Sequence, residues 1–190
     1  NESTGILEKK LTSGTIEMSF SISTGDAPEL QAVASELKSA WEKLGAKVEI
    51  LVFETGDLNQ NVIRQRNFDA LLFGVVVGRD ADLYPFWHSS QRNDPGLNIA
   101  LYANNRADGF LDSARSSSDP SVQEKNLRDF AEEVKADVPA VFLYTPSFLY
   151  VVPEKIKALG LGTLVVAQDR FLGVREWYIE TDKVWKIFAE

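Results

Sequence analysis

The chain has 190 residues, 20 Lys+Arg against 28 Asp+Glu, a formal net charge of −8, 44% hydrophobic residues and no cysteine. That length suits one domain, or one large domain with an appendage, and the composition is that of a folded chain. The acidic balance argues against nucleic acid as a partner, and the missing thiols exclude disulfides, thiolate nucleophiles and zinc ribbons. The most apolar stretch, residues 70–77, falls far short of the roughly 18 residues a membrane helix needs.

Residues 1–14 (NESTGILEKKL and the turn after it) are polar and read as a flexible segment without the marks of a signal peptide, as in a mature form or an excised piece. The run TIEMSFSI then alternates, with Ile16, Met18, Phe20 and Ile22 on one face, which predicts a strand with one buried side. Asp26, Pro28 and Glu29 form a capping-box pattern at the start of a helix. Within it Leu30, Val33, Ala34, Leu37, Trp41 and Leu44 recur at helical spacing until Gly45 stops it. Lys47–Phe53 is a second strand, and strand–helix–strand predicts parallel, right-handed pairing.

Asp57, with Gln60 in the capping-box position, opens a further helix to about Arg66. Residues 68–77 (FDALLFGVVV) have the unbroken apolar character of a central strand covered on both faces. This order of elements predicts an α/β fold, with a mostly parallel central sheet flanked by helices. Residues 78–85 are then a loop at a strand's carboxyl end, 86–91 a short element and 92–98 a turn. Two helices follow: 106–116, with Phe110, Leu111 and Ala114 inward, and one capped by Asp119 and Pro120 that buries Leu127, Phe130, Ala131 and Val134 before ending near Asp137. Residues 140–144 and 148–152 have the composition of two short strands, broken by Thr145, Pro146 and Ser147. The tail concentrates Trp177, Tyr178, Trp185 and Phe188.

Chemistry is sparse. The single histidine, His88, stands beside Ser89 and Ser90, but no glycine-flanked nucleophile elbow is present, and a hydrogen-bonded structural histidine is the preferred reading. Asp80 and Asp82 carry donors for a hard cation without an EF-hand loop around them, and no spacing among the acids nominates a glycosidase pair. Neither phosphate-cradling glycine motif occurs. In open parallel sheets ligands gather outside the carboxyl ends of the strands, which is where loop 78–85 falls. It combines Arg79, Asp80, Asp82 and Tyr84 with nearby Trp87, charged groups beside aromatic walls, and Val77 and Gly78 complete the strand's end. A solvated loop whose aromatics tuck into the core is the alternative. No catalytic, metal or cofactor site is expected.

The runs NFDALLFGVVVGRDADLYPFWHSSQ, LNIALYANNRADGFLDSAR and AEEVKADVPAVFLYTPSFLYVV resemble the C-terminal lobe of the extracellular solute-binding proteins of family 5, the oligopeptide-, dipeptide- and nickel-binding components of ABC importers. The most specific parts are the FDALLFG strand, the PFWHSS segment, the Asn98, Tyr102 and Asn104 spacing before a helix, and the stretch from Asp137 to Tyr144. The resemblance implies a periplasmic-binding-protein-like (type II) lobe. In it, residues 1–14 form a flexible segment, 15–170 the solute-binding lobe and 171–190 a tail returning toward a first lobe.

The resemblance also implies capture of a peptide or similar small solute without covalent chemistry, in a periplasmic or extracellular, membrane-associated parent. The partners would be the N-terminal lobe of that parent and an ABC permease; self-association through the aromatic tail is a further possibility. It adds Asn98 and Tyr102 to the candidate ligand-binding residues. The family strand often reads G-W-x-x-D, its tryptophan lining the pocket and its aspartate receiving the ligand's amine; here Val75 and Gly78 hold those positions, and Asp80 or Asp82 is left to supply the acid. The alternatives are a solute-sensing domain fused to a regulator and a carboxylate-based hydrolase.

Overall fold

A computed structural model describes residues 4–79 and 82–179. The chain divides into two units, one of Asn1–Val75 with Leu83–Pro139 and one of Val76–Asp82 with Ala140–Glu190.

The first unit opens with an antiparallel hairpin, β1 (Glu8–Leu11) and β2 (Gly14–Glu17), in which Glu8 faces Glu17 and Leu11 faces Gly14. A parallel sheet follows, β3 (Ser19–Gly25), β4 (Lys47–Phe53) and β5 (Ala70–Leu72), in the order β4-β3-β5. Between β3 and β4 runs α1 (Pro28–Lys43). Its proline sits in the first turn, where a missing N–H costs nothing, and Gly45 beyond its end takes φ +86°. The β4-to-β5 connection is α2 (Thr55–Asp57), widening into a π-type turn over Leu58–Ile63.

Strand periodicity sorts the two faces of this sheet. Ile22 and Val48 pack with Ala46, Leu37, Trp41 and Leu72 on the α1 side, and Trp41 meets Phe20 edge-on at 5.0 Å. Phe53 and Leu71 turn to the other side, against Leu58, Val62 and Ile63. Beyond the sheet, α3 (Tyr84–Trp87) leads to a helical hairpin, α4 (Asn105–Ser116) and α5 (Pro120–Asp137). This hairpin has its own core of Tyr102, Ala107, Leu111, Phe130 and Val134.

The second unit holds little regular structure. Among the described residues it has two short strands, β6 (Ile156–Lys157) and β7 (Tyr178–Ile179), paired antiparallel, and 3-10 turns at Ala167–Phe171 and Val174–Glu176.

Several sequence expectations are corrected. The first strand of the parallel sheet begins at Ser19, because Ile16 (58% exposed) and Met18 (45%) belong to or follow a hairpin whose apolar side chains stay exposed. That hairpin also gives order to residues 8–14, read from sequence as flexible. No side-chain cap opens α1, whose N-cap is Ala27, nor the turn at Thr55–Asp57. Leu44 lies past the last turn of α1 and is exposed.

The expected central strand over 68–77 pairs only through Ala70–Leu72 and is an edge. The chain passes into the second unit at Val76, so it cannot keep register with β3, the true centre. Ala131 is exposed, since α5 meets α4 through Phe130 and Val134. Residues 140–144 and 148–152 form no strand. Trp185 and Phe188 lie outside the described residues.

Candidate functional site

The most organised polar cluster lies where α3 turns into α4. Asn98 is fully buried, and its Nδ2 donates to the carbonyls of Trp87 (3.0 Å), His88 (3.1 Å) and Tyr102 (2.9 Å). Its Oδ1 accepts the Tyr102 N–H at 3.1 Å. The hydrogen-bonding capacity of this side chain is thus used inside the protein, where it clamps the α3 segment to the start of the helical hairpin. Trp87 meets Tyr102 and Phe130 edge-on, each at 6.2 Å.

The Tyr102 hydroxyl donates to Asp137 at 2.7 Å, and Asn104 Nδ2 donates to the same oxygen at 2.7 Å. Asn104 Oδ1 meanwhile caps α4 by accepting from the N–H groups of Arg106 and Ala107. The Asn104 bond first, and the Tyr102 bond after it, hold the Asp137 carboxyl below the usual carboxylate range. Burial, and then the Asp137 carboxylate, push the Tyr102 hydroxyl up to about 12.

His88 is a cap. Its Nδ1 accepts from the Ser90 N–H (3.1 Å) at the start of the 3-10 turn Ser89–Gln91 and contacts the Ser90 hydroxyl at 2.8 Å. Its ring stacks on Tyr84 at 4.2 Å, and the Arg115 guanidinium lies 4.6 Å from the same tyrosine ring. Ser89 gives both its N–H (2.9 Å) and its hydroxyl (2.6 Å) to Asp108. These are the bonds of a fixed turn, as the sequence reading preferred.

The remaining candidates belong to the second unit. Val77 and Asp82 are half-buried, while Gly78 and Arg79 are exposed. The Arg79 guanidinium pairs with Asp169 at 2.9 Å and donates to the Thr163 carbonyl at 3.2 Å. Asp169 also accepts the N–H groups of Val165 and Val166, which, ahead of Arg79, hold its carboxyl below the usual range. Asp80 lies outside the described residues. The predicted set thus divides: Tyr84, Trp87, Asn98 and Tyr102 are one packed group, and Val77, Gly78, Arg79 and Asp82 belong to the other unit. Among the described residues no group of three or more His, Cys, Asp or Glu is placed to hold a metal, and no helix is long and apolar enough to cross a membrane.

The sequence reading did not single out a cleft of about 460 Å³ on the sheet face away from α1. Ser21, Ser23, Leu51 and Phe53 floor it, and Val62, Phe68 and Asp69 stand at its sides. Asp69 Oδ2 accepts both the N–H (2.8 Å) and the hydroxyl (2.9 Å) of Ser21, in that order of effect, and these bonds keep the carboxyl below its usual range. An ionised carboxylate beside phenylalanine side chains suits a solute that has an amine at one end and an apolar body. The alternating serines of β3 were the available signal for it.

No family model matches the chain. A curated relative does: the oligopeptide-binding protein AppA of Bacillus subtilis is 27% identical over 143 residues, which are 74% of this chain and 26% of that protein. The chain is thus similar in sequence to an oligopeptide-binding protein.

Solved structures carry the same fold. The B. subtilis AppA complex with a nonapeptide matches with a TM-score of 0.69 at 23% identity, over 92% of this chain and 35% of that one. NikZ of Campylobacter jejuni in complex with Ni(L-His) matches with a TM-score of 0.64 at 22% identity, over 90% and 36%. The oligopeptide-binding protein of Thermus thermophilus with a pentapeptide gives 0.61 at 16% identity, over 71% and 25%. The α/β fold expected from the sequence motifs is therefore shared with these proteins, and the chain spans from about a quarter to just over a third of the relatives' length.

Proposed function

We propose that this chain is part of the substrate-binding protein of an ABC importer, acting as one lobe of a clamp. It captures a peptide or similar small solute outside the cytoplasm by non-covalent contacts. The observation that carries this reading is the 143-residue similarity to an oligopeptide-binding protein. The fold match to that protein with a nonapeptide bound adds to it. A second lobe of the same parent supplies the opposing wall, and a membrane permease receives the solute.

In this reading the segment after β5, with Val77, Gly78, Arg79, Asp80 and Asp82, contributes ligand contacts, and Asn98 and Tyr102 act by holding Tyr84 and Trp87 in place. Affinity comes from apolar walls and a few aimed polar groups, and closure of the two lobes traps the solute. A single lobe leaves much of the ligand in water.

Calorimetry of the full-length parent with mixed oligopeptides tests the proposal. Saturable binding is expected, weakened at least tenfold in the 190-residue chain alone; equal affinities contradict the clamp. Converting Asp80 and Asp82 to asparagine in the parent weakens an amine-bearing ligand, whereas unchanged affinity removes both from the site.

A further inference from the structure

The cleft on the sheet face away from α1 is built wholly from the first unit, and it holds polar groups that the fold does not use. Strand alternation puts Ser21 and Ser23 of β3 on this face, while Ile22 between them packs toward α1. Ser23 is only 1% exposed and lines the cleft. Among the described residues its hydroxyl has no hydrogen-bond partner, although a buried hydroxyl ordinarily has one. Asn67, exposed at the rim, likewise leaves its side-chain amide unengaged among the described residues.

Asp69 supplies the charge. Its Oδ2 takes both Ser21 bonds, standing in for a ladder carbonyl just before β3 and β5 begin to pair at Ile22 and Ala70. An amide oxygen would accept those two bonds as well, so the negative charge is surplus to them. Among the described residues Asp69 Oδ1 has no hydrogen-bond partner, and no Lys or Arg pairs with the carboxylate. Arg66, the cation in the lining, is engaged elsewhere: its three guanidinium nitrogens donate to the backbone carbonyls of Ile63, Arg92 and Gly96. Phe53 and Phe68 make the neighbouring wall apolar.

We infer that this cleft is a binding site for a small primary ammonium compound with a flat apolar body, such as an arylalkylamine, and that it is separate from the segment after β5. The ammonium pairs with Asp69 Oδ1, the apolar body lies against Phe53 and Phe68, and Ser23 and Asn67 offer further acceptors. The volume of about 460 Å³ lies toward the small end of ordinary ligand sites, which suits a single ring and a short chain. A carboxylate next to the amine is disfavoured, because Asp69 repels it and the Arg66 nitrogens are already held by the backbone. Every residue of the site belongs to one unit, so the site is complete in this chain and does not rest on the importer reading.

The test is calorimetry with amide-shift mapping by NMR, on the 190-residue chain at neutral pH with 2-phenylethylamine as the probe. Saturable binding is expected, with shifts confined to β3, β4 and residues 61–69. Asp69→Asn keeps an oxygen for the Ser21 N–H and should weaken binding about tenfold or more. 2-Phenylethanol, which has the ring without the charge, and phenylalanine, which adds a carboxylate beside the amine, should each bind at least about tenfold more weakly than the amine. Absence of saturable binding overturns the inference. So does unchanged affinity in the asparagine variant, equal binding of the alcohol or the amino acid, or a set of shifts centred on residues 76–79 and 82. Shift mapping uses the unaltered chain, so it decides the matter even where the variant does not fold. Peptide binding by the full-length parent is read separately: peptide bound there with no amine bound here sinks this site alone, and amine bound here with no peptide bound there sinks the importer reading alone.

Discussion

The two units of this chain differ in how far local sequence suffices to build them. Every buried side chain among the described residues, from Ile22 in the sheet to Val134 in the helical hairpin, belongs to the first unit. The second has Val141, Leu149 and Val151 in water and two buried donors without acceptors. The first is made of neighbours in sequence: a strand, its crossover helix and the next strand, then two helices joined by a short turn. Such contacts close short loops, and each apolar face meets its partner within a few tens of residues. The second unit is rich in apolar residues too, but has no adjacent element to receive them. Hydrophobic composition alone therefore does not make a core; a partner within reach does.

That contrast can be broken by measurement. The largest effect is expected at Leu111, 2% exposed in the hairpin core, where replacement by alanine should cost about 2–5 kcal/mol in urea unfolding. Next comes Asn98→Ala, which strands the buried Tyr102 N–H and loses the clamp on Trp87 and His88; about 2 kcal/mol is expected from unmet buried groups.

Smaller is Tyr102→Phe, about 1 kcal/mol at neutral pH, with a signature in its pH profile. The folded tyrosine titrates at about 12, above its ordinary value of about 10, so its contribution is complete below pH 10 and is lost as pH rises toward 12. The phenylalanine variant should lack that alkaline limb. On the acid side Asp69, Asp119, Asp137 and Asp169 all sit below the usual range, so their contribution is complete above about pH 4 and is lost as pH falls below it; Asp137→Asn should shrink that acid limb. Smallest is Leu149→Ala, expected within about 0.5 kcal/mol of the wild type in the isolated chain. Comparable losses at Leu149 and Leu111 would erase the distinction between the units.

The same distinction explains what could be read from the residues. Lys47–Phe53 as a strand, the proline-led start and glycine stop of α1, and the Asp119 cap of α5, whose side chain accepts the Ser121 N–H at 2.8 Å, were all legible because their causes lie within a turn or two of sequence. The extent of β5 was not, since it depends on where the chain departs for the second unit. Nor were 140–144 and 148–152, whose composition is that of strands but whose partners are not beside them in sequence. Of the candidate site residues, Asn98 and Tyr102 were found by motif, yet their bonds point inward, to Trp87, His88 and Asp137, a direction that spacing does not encode. Asp69 went unnoticed because its partner Ser21 lies 48 positions away.

Gly45 does more than end a helix. Its carbonyl receives the Leu7 N–H at 2.8 Å, the Leu7 carbonyl receives Met18, and the Met18 carbonyl receives Lys47. A Cβ on Gly45 would fall 2.9 Å from Leu7 Cγ and 3.2 Å from the Gly5 carbonyl oxygen. The incoming thread and the helix exit are thus stitched together at a point with no room for a methyl group. Trimming the amino end through Leu7, or placing alanine at 45, should loosen the same stitch, and with it the hydrogen bonds that seat the beginning of the sheet.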